Sequence, residues 1–180
     1  MAKILLSEII KKMNSEKTTF EVIDDALSKK DFDKIKTTMM HYSFPWHVVR
    51  EVATKDDLVG DIFYMTHGFY AEYAPQSPYL DLLNPLFEKI KPSALVRIKG
   101  NFYPNQNDFV EHGMHIDHES SLGAILYLNN NNGYTKLKNE NVKIESKENR
   151  LLLFDSSQMH CSTNCTDDFA RLNINVNYYL

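Results

Sequence analysis

Cysteine is scarce in this sequence, with only Cys161 and Cys165 among 180 residues. That excludes a disulfide-stapled secreted scaffold and fits a reducing compartment, in which both would be free thiols. Their Cys-x-x-x-Cys spacing has no accompanying Cys or His pair of the kind a structural zinc site needs. Long apolar runs are missing too. Nothing approaches the ~18 residues of a membrane-spanning helix, and Met1-Ala2-Lys3-Ile4-Leu5-Leu6 meets Ser7-Glu8 too soon for a signal-peptide core. The expected location is the cytoplasm, with no membrane partner. A basic excess is also lacking: the formal net charge is −4 and the pI about 6.0. Binding along a nucleic-acid backbone is therefore not expected, although a single flipped base remains compatible.

What is present is ordinary globular material, 43% hydrophobic and 24% charged, which argues against disorder. A chain of this length buries about 70% of its unfolded surface, so a single domain spanning 1–180 with one core is expected. No internal repeat or linker interrupts it.

The first half, roughly 1–93, reads as helical and strand support. Ile4, Leu5, Ile9, Ile10 and Met13 recur at helical spacing, and Thr18–Ile23 is β-branched and aromatic. Phe32, Ile35, Met39 and Met40 predict a helix capped by Ser28 and stopped before Pro45. Residues 44–49 read as extended, 55–60 as a loop and 62–67 as a strand. The aromatics continuing through Phe69, Tyr70 and Tyr73 suit packing or a substrate lid. Ser77-Pro78 predicts a helix start, with Leu80, Leu83, Leu86, Phe87 and Ile90 as its apolar face and Lys91-Pro92 as its end.

From Ala94 the pattern becomes short strands divided by polar turns: 94–103, 109–117, 121–129, 134–138, 142–145, 150–155 and 169–178. Such a run suits a mainly β fold with flanking helices, a double-stranded β-helix of the jelly-roll or cupin-like kind. Two facing sheets can then carry a site between them.

The stretch Met114-His115-Ile116-Asp117-His118 supplies the candidate chemistry. On a strand, His115 and Asp117 share a face, and His112 and His118 turn away. A His and a carboxylate at this spacing, completed by a distant second His, form the facial triad that leaves positions open on Fe(II). His160, after the apolar run Leu151–Phe154, is the candidate third ligand. Arg171 then opens an alternating segment with Arg171, Asn173, Asn175 and Asn177 on one face and Leu172, Ile174, Val176 and Tyr178 on the other.

In combination these residues resemble the 2-oxoglutarate- and Fe(II)-dependent oxygenases, in particular the prolyl-4-hydroxylase-like branch, including its short phage and bacterial members. The likeness covers roughly 94–180. It rests on Tyr103-Pro104, His115-x-Asp117, Tyr127-Leu128-Asn129, the turn Gly133-Tyr134-Thr135, Asn149-Arg150, Phe154-Asp155, His160 and Arg171. Tyr134 departs from the pattern, standing where the family often has a second Gly or an acid. The resemblance implies that His115, Asp117 and His160 are the metal ligands and catalytic centre. It also implies that Arg171 clamps the far carboxylate of 2-oxoglutarate, with help from Tyr127 and Tyr103. The implied cofactors are Fe(II), 2-oxoglutarate and O2, with ascorbate as a supporting reductant. The implied reaction hydroxylates a C–H bond and releases succinate and CO2. A peptidyl proline is the first substrate expected, followed by an amino acid, a small metabolite or a nucleobase. The alternatives are a cupin-like protein that binds a divalent metal and a carboxylate without oxygen chemistry, as an isomerase or sensor, and a structural protein without metal.

Overall fold

A computed structural model describes residues 20–50, 63–139 and 141–180. The N-terminal amphipathic helix and the 55–60 loop expected from sequence lie outside them. In chain order the strands are β1 (Phe20–Ile23), β2 (His47–Val49), β3 (Tyr64–Ala71), β4 (Ala74–Pro75), β5 (Ala94–Pro104) and β6 (Leu122–Tyr127). They continue as β7 (Tyr134–Leu137), β8 (Val142–Glu145), β9 (Leu151–Asp155), β10 (His160–Ser162) and β11 (Ala170–Tyr179). Two α-helices, α1 (Lys29–Met39) and α2 (Asn84–Ile90), and a 3₁₀ turn at Leu80–Leu83 accompany them.

The strands form two antiparallel sheets. The large one runs β1-β9-β6-β11-β5-β3-β2, with β4 added to β3, and the small one runs β10-β7-β8. This is a double-stranded β-helix. Strand β11 sits at the centre of the large sheet, paired with β5 on one side and β6 on the other. Its outward residues Leu172, Ile174 and Val176 meet Phe32, Ile35 and Met39 of α1 and Leu86 and Ile90 of α2 in one apolar core. A second cluster, Ile125, Tyr127, Leu137, Ile144, Leu152 and Phe154, fills part of the space between the sheets. Apolar burial of this kind, about 25 cal/mol per Å², is what fixes the helices on the sheet's outer side.

Helix α1 begins where its cap dictates, the Ser28 hydroxyl accepting from the Asp31 N–H at 3.2 Å. Helix α2 corrects an expectation. Ser77-Pro78 does not open a helix; a turn and the 3₁₀ segment follow it, and Pro85 takes the first positions of α2. Lys91 then ends the helix in the left-handed region, φ 50°. The predicted strand 109–117 is a second correction. It is irregular chain touching its neighbour through two isolated bridges, Glu111 with Thr163 and His115 with His160. With a partner strand only three residues long and already paired to β7, this segment has no continuous ladder to join. Among the described residues no helix is long and apolar enough to cross a membrane.

Candidate metal centre

Two elements deliver the three candidate ligands. The irregular 109–117 segment carries His115 and Asp117, and β10 carries His160. The two histidine backbones exchange hydrogen bonds of 2.9 Å in both directions. Their rings are 4.6 Å apart between centroids. His115 Nε2 lies 3.8 Å from Asp117 Oδ1, and His160 Nε2 lies 3.5 Å from Asp117 Oδ2. The donor atoms of the three residues all fall within 4.8 Å of one another, and among the described residues they are the group able to hold a metal ion.

The imidazoles are already oriented for a cation. Nδ1 of His115 contacts the Gly113 carbonyl at 3.1 Å, and Nδ1 of His160 contacts that of Gln158 at 2.8 Å. A carbonyl only accepts, so each Nδ1 carries the proton and each Nε2 turns its lone pair toward Asp117. Burial, and the charge His160 would carry, push His115 below its ordinary value, favouring the neutral ring that binds metal. For Asp117, burial presses the carboxyl upward, but His160 in its charged form, Arg97 and the Asn175 amide outweigh it and hold it well below the usual carboxylate range. The carboxylate is fully ionised at neutral pH. Its oxygens accept from Arg97 Nη2 at 2.8 Å and from the side-chain amides of Asn175 and Asn177 at 2.7 and 3.3 Å. Two imidazoles and a fixed carboxylate on one side of a cleft suit Fe(II), which prefers this donor mix.

At the far end of the cleft Arg171 is wholly buried. Its Nε donates to Ser146 Oγ at 2.7 Å, Nη1 to the Thr163 carbonyl at 3.2 Å and Nη2 to Thr135 Oγ1 at 3.0 Å. The rings of Tyr103 and Tyr127 flank it, each 5.5 Å from the guanidinium carbon. Gly133 makes room for the arginine stem, since a Cβ there would lie 2.5 Å from Arg171 Cδ and from the Asn164 carbonyl. Every partner of the guanidinium is neutral. Among the described residues no carboxylate pairs with it, and a buried charge in that condition is costly.

Tyr103 lines the cleft with the triad, Arg171, Thr135, Asn173 and Asn175. Tyr127 stands one layer back. Its hydroxyl donates to Thr135 Oγ1 at 2.8 Å, so it is Thr135, accepting from both Tyr127 and Arg171, whose own proton is available to the cleft. Burial raises both tyrosines and keeps them neutral. His112 contacts Ser162 Oγ at 2.8 Å and packs on Tyr103, and His118 is exposed. Neither reaches the triad. His67 is a core residue bridging the Pro45 carbonyl and Ser77 Oγ. A larger surface groove lies around Tyr70, Phe87, Leu95 and Tyr179, and it contains none of the triad.

No protein-family model matches this chain, and no curated protein does. Solved structures do. A prolyl hydroxylase from Trichoplax adhaerens, solved with a hypoxia-inducible factor peptide, superposes with a TM-score of 0.71 over 99% of this chain and 90% of its own, at 16% identity. The chain has the fold of the 2-oxoglutarate- and Fe(II)-dependent oxygenases. A member of that family from Burkholderia pseudomallei gives 0.70 over 97% and 90% at 11% identity. A prolyl-4-hydroxylase from Pseudomonas putida gives 0.61 over 98% and 100% at 12% identity. At such identities the likeness is one of fold.

Sequence reasoning passed over Arg97, Lys99, Thr135 and the amide contacts to Asp117. The signal for the first two was the alternation of Arg97, Lys99, Asn101 and Tyr103 within 94–104, which puts all four on one face.

Proposed function

We propose that this chain is an Fe(II)- and 2-oxoglutarate-dependent dioxygenase that hydroxylates a C–H bond, with the whole of 1–180 acting as one domain. The observation that carries the reading is Arg171, a wholly buried guanidinium with neutral partners alone, sharing a cleft with two imidazoles and a carboxylate. A buried cation of this kind calls for a buried anion. A guanidinium matches a carboxylate two-pronged, where an ammonium would give a point charge.

The metal would be held by His115, Asp117 and His160. With 2-oxoglutarate and O2 it would supply the oxidising chemistry, with succinate and CO2 as by-products. The chain's share is placement. Arg171 and Thr135 bind the distal carboxylate of the diacid, Tyr103 and Tyr127 wall the guanidinium from water, and Arg97, Asn175 and Asn177 fix the Asp117 carboxylate so that it cannot rotate away. The prime substrate is a peptidyl proline or a small molecule bearing an unactivated C–H bond. The prolyl hydroxylases among the similar structures support the first of these.

The test is 2-oxoglutarate-dependent succinate release in air with added Fe(II). The parent protein should release succinate slowly alone and faster with a substrate. Asp117→Ala should release at least a hundredfold less. Equal release from both would overturn the assignment, and metal and diacid binding without oxygen consumption would point to a cupin-like isomerase or sensor.

A further inference from the structure

The inner face of β5 carries two cations, Arg97 and Lys99. Arg97 is engaged, its Nη2 donating to Asp117 Oδ1 at 2.8 Å and to Asn177 Oδ1 at 3.3 Å. Lys99 is not. Its side chain lines the same cleft as the triad, with Nζ 5.8 Å from the centre of the Tyr64 ring. Among the described residues no carboxylate lies within ion-pair distance of it.

The register fixes what stands beside Lys99. Across β11 its partner is Asn175, the residue that donates to Asp117. Across β3 its partner is Gly68. Directly opposed residues of an antiparallel pair project to the same face, so the sheet is bare next to the ammonium. A Cβ added at Gly68 would meet nothing within 4 Å. Gly68 is also exposed. Arg171 is four positions along β11 from Asn175, about 13 Å by strand rise. The two cations therefore stand well apart along the cleft.

Charge points the same way. Asp117 is the single acid among the described residues lining the cleft. Set against a divalent ion, Arg97, Lys99 and Arg171, that carboxylate and a dianionic co-substrate leave two positive charges unmatched. We infer that Lys99, with the bare strip of sheet at Gly68, anchors the prime substrate, and that this substrate presents an oxyanion, carboxylate or phosphate, to the ammonium while its reacting carbon faces the triad. This rests on the oxygenase reading and names the chemistry of the substrate that reading leaves open.

The experiment uses the full chain loaded with Zn(II), which is diamagnetic and redox-silent, and with 2-oxoglutarate. Acetate and methyl phosphate are titrated separately and followed by amide NMR shifts. At least one should shift Gly68, Lys99 and Asn175 saturably, and which of the two binds more tightly distinguishes a carboxylate from a phosphate substrate. Lys99→Met should weaken that probe at least tenfold, Lys99→Arg should restore most of the loss, and Gly68→Leu should block the probe by filling the strip. All three variants should bind 2-oxoglutarate within about twofold of the parent. Neither probe binding, or equal binding by Lys99→Met, would overturn the inference, the latter showing simple ligation of the metal. A loss of 2-oxoglutarate affinity in Lys99→Met would assign the lysine to the co-substrate and overturn it too. A parent protein that takes up neither Zn(II) nor 2-oxoglutarate would instead reject the oxygenase reading, and the inference with it.

Discussion

The two faces of the large sheet are made by the same strands and are both buried, yet they are chemically opposite. On β11, Leu172, Ile174 and Val176 face the helices, and Arg171, Asn173, Asn175 and Asn177 face the small sheet; all seven are buried. A strand buried on both sides ordinarily reads as a continuous apolar run. Here the alternation normally produced by water on one face is produced by a polar cleft. The outer face is held by packing, which is forgiving of chemistry and sensitive to volume. The inner face is held by hydrogen bonds and charge, where losing one partner leaves another buried and unpaired. Two inner groups, the side-chain oxygens of Asn101 and Asn175, remain unmet among the described residues. That is the condition of a surface built for something that is not protein.

Substitutions on adjacent residues of β11 can break this contrast. Ile174→Ala, on the outer face, should cost about 2–5 kcal/mol of stability by leaving a cavity. Metal affinity of the fraction that remains folded should stay unchanged. Chemical denaturation together with Zn(II) titration measures both. If the metal affinity fell along with stability, the two faces would not be independent. Asn175→Ala, on the inner face, should do the reverse. It removes one of the contacts steadying the Asp117 carboxylate, and metal affinity should fall roughly 10–100-fold, as for other groups that orient metal ligands. Its effect on the unfolding midpoint should be the smaller of the two. An Asn175→Ala protein with parental metal affinity would show that Arg97 and Asn177 hold the carboxylate unaided.

Much of this was legible in the residues because alternation is a strong signal when both faces are constrained. The spacing of Arg171, Asn173, Asn175 and Asn177 marked one face of β11, and Ser28 followed by Phe32, Ile35 and Met39 marked α1. His115, Asp117 and His160 were readable as ligand types in order, but not their approach. The expected strand at 109–117 is irregular, because His115 and Asp117 are turned inward by single bridges to β10 and by the Asp117 N–H donating to the Ser156 carbonyl at 3.2 Å. Those partners are about 40 residues downstream, and no local pattern encodes them. Pro78 was read as the helix start, but tertiary packing of Leu83, Leu86 and Ile90 begins the α-helix later, with Pro85 in its first turn. Lys99 was hidden for a different reason. Its meaning depends on Gly68, a residue whose contribution is the absence of a side chain, and on a register that joins them across 31 positions of sequence.

The central claim is that three ligands and a buried guanidinium address one small diacid bound on one metal. The measurement closest to it is an anaerobic titration of the protein with Fe(II) and 2-oxoglutarate, watched for the weak visible charge-transfer band of a keto acid bound to iron through two atoms. The parent should develop the band at one equivalent of each. His160→Ala should lose it, and Arg171→Met should need at least a hundredfold more 2-oxoglutarate to reach it while still binding metal. No band in the parent, or an undiminished band in His160→Ala, would contradict the account.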